Sequence, residues 1–543
     1  MGRAVSSPRQ IRAAFSFSLS PSLLLMLVVV SAAVVTTACG SGGKMSGPPP
    51  LSGNTQVTVV LSSTANDQLS EFGIGVLNIA LSNQAAKTVS LLSLPSRSQQ
   101  WAEFIHINGD AEPFTTVSVP QDVYTSATVT VFQSYFGCTT LTSDGRLETS
   151  FYGYGTNPSN APTTTVTVNV AGPFTITGDS MGLLLDLQVL QSATFPSTCA
   201  PSGLQSFSIT PTFNLAPITF SSHPTSAKNG KVAQLRAEIT AMSTTGDGFT
   251  VTLPEGQRTL SVQSGAGTVF QGTSGFFALG VGMFVDVEGG IQSDGSLLAT
   301  RIAVEDPAAV DVANGPAVIV GGDPLNGETS GWFSDRQYQG LDAIPNPWPY
   351  NIHSATFQVS GQFNNLQSLP FVPTFNALNL VAGQNAYVST IQFLNANDPY
   401  THANTVTLIP QTINGAVVSS SVSGSFTDYT IALAPYDLFP TLAVQQGQTT
   451  LLTNPGQVEV YVDSNTQRLN TQPLAAGSTL RFHGLVFNDN GTLRMDCAQI
   501  NDGVDFLPPQ SAAQRGHLLQ GVAQTRRESG GRVWQTITVT RAK

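Results

Sequence analysis

Apolar and polar residues alternate in short runs between positions 55 and 215. The runs include TQVTVVLSS at 55–63, ATVTVFQSYF at 127–136, TTTVTVNV at 163–170 and SFSITPTFNL at 206–215. Such alternation, with many β-branched residues, is typical of strands that bury one face, and Pro, Gly and Asn separate the runs. The pattern predicts a β-sandwich over residues 54–222.

Two similar segments further along the chain indicate duplicated β modules. Residues 279–304 read LGVGMFVDVEGGIQSDGSLLATRIAV, and residues 474–500 read LAAGSTLRFHGLVFNDNGTLRMDCAQI. Each copy has the form strand, glycine, strand, Asp/Asn-Gly turn, strand, and Gly and Asn tolerate the positive φ of a tight turn. Four positions align between the copies: Gly282 with Gly477, Gly289 with Gly484, Asp294 with Asp489 and, across the inserted Asn490, Leu297 with Leu493.

The same alignment places His483 where the first copy has Glu288. A position that changes from an acid to an imidazole between copies is expected to face the solvent. We therefore predict that both side chains lie on the surface.

The chain of 543 residues is too long for one hydrophobic core. We predict an all-β fold, with the N-terminal β-sandwich followed by two or three small β-barrel modules. The modules are assigned to residues 230–308, 309–412 and 413–506, and the middle one is a degenerate copy around LVAGQNAYVSTIQF at 380–393. Residues 507–543 form a basic tail, for which a hairpin is one available structure.

Both parts of the chain resemble bacterial families without an assigned activity. The segments GVLNIALSN (75–83), VPQDVYTSATVTV (119–131) and LLLDLQVL (183–190) resemble the domain-of-unknown-function family 4382. That resemblance implies a β-sandwich in a bacterial surface protein. The duplicated segments resemble family 5666, which implies small β-barrels and brings no known catalytic residues.

The first 39 residues have the pattern of an export signal. Three arginines, at positions 3, 9 and 12, precede an apolar run at 23–35, which is followed by TTAC at 36–39. A positive segment, a short apolar segment and small residues before a cleavage point are typical of a secretory signal peptide. The apolar run is too short to cross a bilayer of about 30 Å as a helix.

The TTAC segment resembles the bacterial lipobox, in which the cysteine is lipidated. Thr36 departs from that motif, which usually has an aliphatic residue there. The resemblance implies lipid attachment at Cys39, with 1–39 as the lipoprotein signal peptide and 40–53 as a flexible tether. We expect a place in the cell envelope, at the outer membrane or cell surface rather than the inner membrane. A plain secretory signal, with Cys39 incidental, is the alternative.

The charge of the chain argues against nucleic acid as a partner. Charged residues make up 10% of the chain, compared with about 25% in an average soluble protein. Residues 40–543 hold 19 basic and 33 acidic residues, a net charge of −14. Nucleic-acid binding needs clustered cations. Only the basic tail could contact anionic envelope polymers, and an ordinary exposed hairpin is the simpler interpretation.

One catalytic motif occurs, and its surroundings do not fit it. GDSMG at 178–182 matches the G-x-S-x-G nucleophile elbow around Ser180, which needs a strand before it and a helix after it. The next residues alternate as in a strand, at Leu183, Leu185 and Leu187. We therefore predict a hairpin turn and no enzyme activity, with an envelope serine hydrolase using Ser180 as an alternative.

Cysteines and histidines indicate one disulfide and no metal site. Cys138 and Cys199 fall in the predicted sandwich, and an oxidising compartment permits a bridge between them. Cys497 lies in an apolar strand and is expected to be a buried thiol. The six histidines are scattered, and the Asp/Asn-Gly clusters fit turns, so no metal or other cofactor is predicted.

An aromatic segment at 331–351 is the remaining candidate site. It holds Trp332, Tyr338, Trp348 and Tyr350 together with charged residues and prolines. Flat rings could bind a glycan, or they could fill the seam between two barrels. The function predicted is a cell-envelope lipoprotein that displays tandem β domains in a binding or structural role. Its expected partners are the membrane, through the anchor, and an envelope polysaccharide or another envelope protein; the glycan-binding module remains the alternative.

Overall fold

A computed structural model describes the greater part of the chain after residue 50, and the candidate lipid-attachment residue Cys39 lies outside it. The described residues are 51–64, 69–93, 101–141, 147–153, 163–193, 203–205, 208–218, 232–244, 246–253, 259–305, 315–323, 328–333, 348–361, 363, 365–392, 401–434, 437–443, 456–503, 522–529 and 532–539. None of the helices in these ranges has both the length and the apolar character needed to cross a membrane.

The fold is all-β, as predicted, and begins with a twelve-stranded sandwich domain. Its strands are β1 (Asn54–Thr64), β2 (Leu69–Asn83), β3 (Thr88–Ser93), β4 (Trp101–Glu103), β5 (Glu112–Pro120), β6 (Asp122–Leu141), β7 (Leu147–Tyr152), β8 (Thr164–Val170), β9 (Phe174–Ile176), β10 (Ser180–Gln188), β11 (Gly203–Gln205) and β12 (Phe213–Pro217), with a one-turn helix at Val189–Ser192. The hydrogen-bonded order is β11-β7-β6-β8-β12-β10-β1-β5, and β2 pairs with β3, β4 and β6.

Strand β1 shows why the sequence of this domain is more apolar than simple alternation requires. Val57, Val59 and Leu61 enter the core of the sandwich, in which residues from β2, β6 and β10 also lie. Val60 points the other way and joins a second core, which belongs mainly to the next sheet. Both faces of β1 are therefore buried, and the run of Val59 to Leu61 has no polar interruption.

Three six-stranded barrels follow the sandwich. The sequence predicted two or three modules, and the structure has three. Barrel 1 comprises β13 (Val232–Met242), β14 (Gly248–Thr252), β15 (Thr259–Gln263), β16 (Val269–Gln271), β17 (Phe284–Ile291) and β18 (Leu297–Glu305), with a 3-10 turn at Phe276–Ala278. Barrel 2 comprises β19 (Gly315–Asp323), β20 (Glu328–Phe333), β21 (Trp348–Asn351), β22 (Thr356–Val359), β23 (Asn385–Gln392) and β24 (Thr401–Leu408), with a 3-10 turn at Leu366–Ser368. Barrel 3 comprises β25 (Gln411–Ser423), β26 (Phe426–Leu433), β27 (Gln457–Val462), β28 (Gln467–Arg468), β29 (Thr479–Asp489) and β30 (Thr492–Asp502), with a short helix at Leu438–Ala443.

The three barrels share one topology. Within each barrel the strand order is third, second, first, fifth, sixth, fourth, and a parallel pairing of the third strand with the sixth closes the sheet. Closure removes the free edges of these strands, which otherwise would be open to pairing with another chain. The fourth strand adds to the sixth as a short parallel partner.

A glycine before the fifth strand has the same role in all three barrels. Gly282, Gly383 and Gly477 have φ values of 89°, 95° and 89°, a conformation that glycine adopts at no steric cost. The amide of each glycine donates to the carbonyl of a residue in the first strand: Ile239, Ile319 and Val417 respectively. The shared hydrogen bond joins the turn to the barrel wall, and it identifies the middle barrel as a structural copy of the other two.

A bulge seven residues further on is also repeated, and it corrects the sequence alignment. The register of the fifth and sixth strands shifts between Glu288 and Gly289 in barrel 1 and between His483 and Gly484 in barrel 3. After this bulge Ile291 pairs with Leu297, while the matching Val486 pairs with Met495. Leu297 therefore corresponds to Met495 and not to Leu493, because in barrel 3 the hairpin is longer and its turn is tighter.

The last described element is a two-stranded antiparallel sheet of β31 (Val522–Ser529) and β32 (Arg532–Val539). Within the described residues these two strands pair with each other and with no other strand. They fall in the basic tail.

Candidate functional site

The predicted cysteine residues are only in part within the described structure. Cys138 lies on β6, is 2% exposed and is disulfide-bonded. Its predicted partner Cys199 lies outside the described residues. Cys497 on β30 is a thiol fully buried in the core of barrel 3.

The GDSMG segment joins two parts of the sandwich and is not a hairpin, which corrects the predicted turn. Strand β9 before it pairs with β6, whereas β10 after it pairs with β1 and β12. Gly178 has a φ of 80°, and Ser180 is exposed at the first position of β10. A strand, not the helix of a nucleophile elbow, follows Ser180.

The structure describes only part of the aromatic segment at 331–351. Tyr350 on β21 is fully buried in the apolar cluster of barrel 2, so its ring cannot present a face to a glycan, and its assignment as a glycan-binding residue is wrong. Gly331 pairs with Trp348 across β20 and β21. The side chains of Trp332 and Trp348, and the whole of Tyr338, lie outside the described part of the chain.

The expectation that Glu288 and His483 face the solvent is wrong. Glu288 is 2% exposed and His483 is 5% exposed. Both lie on the outer surface of their barrels, but another domain covers each of them. Glu288 accepts hydrogen bonds from the hydroxyl of Ser360 and from the amide of Gly361 (2.8 Å), which belong to barrel 2. Burial raises the pKa of Glu288, against the opposing effect of the nearby Arg301 charge.

The loop between Glu103 and Glu112 in the sandwich domain holds a compact group of ionisable side chains, in which His106 lies between two buried glutamates. The Nδ1 atom of His106 lies 2.8 Å from a carboxylate oxygen of Glu103, and its Nε2 atom lies 3.0 Å from an oxygen of Glu112. The other oxygen of Glu103 accepts from the amides of Phe72 and Ile105 at 2.8 and 2.9 Å. Both glutamates are 2% exposed.

The two carboxylates keep His106 protonated. Burial alone would lower the pKa of His106, but the hydrogen bonds to Glu103 and Glu112 and the charges of both groups raise it to about 9. Both ring nitrogens are then donors and both have an acceptor. His106 is therefore a fixed positive charge within the loop, and neither nitrogen has the free lone pair that a general base or a metal ligand needs.

The far side of the same loop contacts barrel 3. The Nε2 atom of His483 lies 3.1 Å from the Asp110 carboxylate, and its Nδ1 atom lies 3.0 Å from the hydroxyl of Thr412. The Thr412 hydroxyl donates to the carbonyl of Asn108 at 3.0 Å, and Arg481 donates to the Asn108 side chain. At Gly109, with a φ of 86°, a Cβ atom would lie 2.8 Å from Nδ1 of His483, so the close approach needs glycine.

A cavity of about 70 Å³ lies where the loop meets barrels 2 and 3. Ile105 and His106 line it from the sandwich, Asn385 from barrel 2, and Thr412 and Leu438 from barrel 3. Its volume is far below the roughly 300 Å³ at which small-molecule pockets begin.

The loop was not singled out from the sequence, although a signal was present. Glu103, His106 and Glu112 lie within ten residues as E-x-x-H-x5-E. Neither the i, i+3 nor the i, i+6 spacing places side chains together in an extended strand. Only the turn at 104–111 brings the two acids to opposite sides of the imidazole. Within the described ranges no group of three or more His, Cys, Asp or Glu residues could hold a metal ion.

Comparison with known proteins supports one of the two resemblances. Residues 236–303 match the family model "Domain of unknown function (DUF5666)", which confirms the resemblance for barrel 1. No curated protein matches the sequence of the chain. The resemblance of the sandwich to family 4382 stays a prediction.

A solved structure with some likeness is the crystal structure of a multidomain protein with nucleic acid binding domains from Streptococcus pneumoniae TIGR4. It is 10% identical, the match covers 49% of this chain and 72% of that chain, and the TM-score is 0.12. A match at this identity and TM-score gives no information about the function of this chain. Small β-barrels host many functions, so the fold of the three barrels assigns none.

Proposed function

We propose that the chain is a lipid-anchored protein of the bacterial cell envelope, which holds a sandwich and three barrels in a fixed arrangement and has a binding or structural role without catalysis. The observation that carries this proposal is that residues 52–543 form one compact unit. A protein with flexible linkers between its domains would instead divide into several units.

Polar contacts connect each domain to the next. The amide of Gly182 in the sandwich donates to the carbonyl of Ser293 in barrel 1 at 3.0 Å. Barrel 1 contacts barrel 2 through Glu288, as described above. The side-chain amide of Gln384 in barrel 2 donates to the carbonyl of Val486 in barrel 3 at 2.9 Å.

Barrel 3 then returns to the sandwich through the contact of His483 with Asp110. The domains therefore form a closed circuit of contacts, and no domain is attached on one side alone. Such an arrangement suits a rigid body held near a membrane. It supports the proposed structural or binding role better than a chain of independent modules would.

The lipid anchor is the testable part of the proposal. Cells that express the protein would be labelled with radioactive palmitate, and the protein would then be isolated. We expect incorporation in the wild type and its loss in Cys39→Ala. Cys497→Ala is the matched control, because that thiol is buried and should leave the labelling unchanged. Equal labelling of the wild type and Cys39→Ala would show that the anchor at Cys39 is wrong.

A further inference from the structure

The segment between the fourth and fifth strands of barrel 2 packs an aromatic side chain against the outer surface of barrel 3. We call residues 369–380 the strap; its sequence is LPFVPTFNALNL. Phe371 in the strap is 9% exposed, whereas the adjoining Val372 is 72% exposed and Pro370 is also exposed. The strap forms no strand with barrel 3. Phe371 is thus a buried ring between two exposed neighbours.

The receiving surface on barrel 3 is built from two rings and a guanidinium group. The Phe371 ring centroid lies 5.2 Å from that of Tyr461 and 5.8 Å from that of Phe487. The guanidinium carbon of Arg494 lies 5.4 Å from the Phe371 centroid and 5.8 Å from the Tyr461 centroid. These distances are within the range for cation–π attraction. We call Tyr461, Phe487 and Arg494 the ring site.

The ring site is held in place by barrel 3 itself. Arg494 lies 3.1 Å from the carboxylate of Glu459 and 2.9 Å from that of Asp489. The Tyr461 hydroxyl donates to Glu459 at 2.9 Å and accepts from Arg494. None of these contacts involves the strap. The site is therefore preorganised, and a bound ring need not order its walls.

The surrounding charges and the present occupant indicate the class of ligand. Three carboxylates, from Asp428, Glu459 and Asp489, surround the single cation of Arg494, an environment that repels a phosphate backbone. The occupant is a phenylalanine with prolines one residue before it and two residues after it. Prolines favour an extended backbone and lower the entropy that the segment loses on binding.

We propose that the outer surface of barrel 3 is a binding site for a proline-flanked aromatic side chain of an extended peptide, which the chain fills with its own Phe371. A partner protein that carries such a segment would bind by displacing the strap. Displacement breaks no sheet, because the strap has no strand pairing. The strap also donates a hydrogen bond to barrel 3, from the side-chain amide of Asn379 to the carbonyl of Asn488 at 3.2 Å.

The test uses a labelled peptide with the sequence SLPFVPTF, which is that of residues 368–375, and the full chain from Gly40 onward. Fluorescence anisotropy would measure its binding to the wild type, to Phe371→Ala and to Phe375→Ala. Phe375 is the matched control: it is also in the strap and 9% exposed, but its ring packs against Phe357 of barrel 2 at 5.6 Å.

We expect micromolar binding to Phe371→Ala and at least about ten-fold weaker binding to the wild type and to Phe375→Ala. A peptide with alanine in place of its first phenylalanine should not bind. Adding Arg494→Ala to Phe371→Ala should weaken binding by about ten-fold or more. If Phe371→Ala does not fold, Phe371→Leu takes its place. Leucine keeps an apolar side chain in the site, which supports folding, but it has no ring to compete with that of the peptide. The expected binding is therefore the same as for Phe371→Ala.

Three results would overturn the proposal. A folded variant with an empty site that binds no peptide would show that the site does not recognise the ring. Equal binding to the wild type and to Phe375→Ala would place the peptide elsewhere on the surface. Binding of a neutral oligosaccharide, and not of the peptide, by Phe371→Ala would assign the site to sugars.

Discussion

At the residue scale, the imidazole of His106 carries a positive charge inside the protein because two buried carboxylates face its ring nitrogens. Its pKa of about 9 compares with an ordinary value of 6.5. That difference corresponds to about 3 kcal/mol of extra stability for the protonated form in the folded state. The contribution is fully present below pH 6.5, and it is lost as the pH rises through about 9.

We predict that the free energy of unfolding decreases by about 3 kcal/mol between pH 6.5 and pH 10 because of this group. Urea denaturation at a series of pH values would measure the decrease. In His106→Gln most of the decrease should disappear, since glutamine does not titrate, and the stability at pH 6.5 should be lower. His353→Gln is the control, because His353 is exposed. If His106→Gln keeps the pH slope of the wild type, the buried charge does not stabilise the fold.

At the element scale, the pairing of the fifth strand with the sixth strand contains a bulge in each barrel. A Cβ atom at Gly484 would lie 2.1 Å from the carbonyl oxygen of Asp496, and one at Gly289 would lie 2.4 Å from that of Leu298. In both places the neighbouring backbone leaves no room for a side chain. Barrel 2 has Thr390 at the matching position, so the degenerate copy forms its bulge without this close approach.

We predict that Gly484→Ala destabilises the protein by about 2 kcal/mol or more, because β29 and β30 must separate to admit the methyl group. The midpoint of thermal unfolding would measure the effect. Gly280→Ala is the matched control, since a Cβ atom there meets nothing within 4 Å, and its effect should stay within about 0.5 kcal/mol. Equal midpoints for the two variants would show that the strand pair yields easily.

The glycines of the repeat could be recognised from the sequence, because turns with positive φ and bulges demand the same residue in each copy. The register of the strand pair beyond the bulge could not be recognised from the sequence. Leu297 and Leu493 are the same residue type and can be aligned in sequence, but the hairpin of barrel 3 extends three residue pairs beyond the last matching pair. A two-residue turn at Asn490 and Gly491 replaces the five-residue loop at 292–296 of barrel 1, so matching residues no longer lie at the same distance from the turn.

At the scale of the whole molecule, stability depends on the contacts that close the circuit of domains. The contact of barrel 3 with the sandwich is polar, with His483, Asp110 and Thr412 as its members. If one of these side chains is removed, the others stay buried without their hydrogen-bond partner. The free energy of unfolding then falls by about 1–3 kcal/mol for a neutral group and by more for a charged one.

We predict that His483→Ala lowers the free energy of unfolding by about 2 kcal/mol and speeds hydrogen exchange of the amides in the loop at 104–111. Urea denaturation and native-state hydrogen exchange would measure the two effects. His353→Ala is the control for the loss of a histidine in a barrel. Unchanged exchange in the loop of His483→Ala would mean that the sandwich and barrel 3 are held together by other contacts.

The all-β class and the duplication of the barrels could be predicted from the sequence, because strand periodicity and turn glycines are local properties. It also predicted that Cys497 is a buried thiol. Which polar residues are buried depends on the tertiary structure. Glu288 and His483 were expected on the surface from the sequence, but each lies where a second domain covers it. The outer surface of a barrel is buried only where another domain packs against it. The sequence pattern of a single strand does not show where that contact occurs.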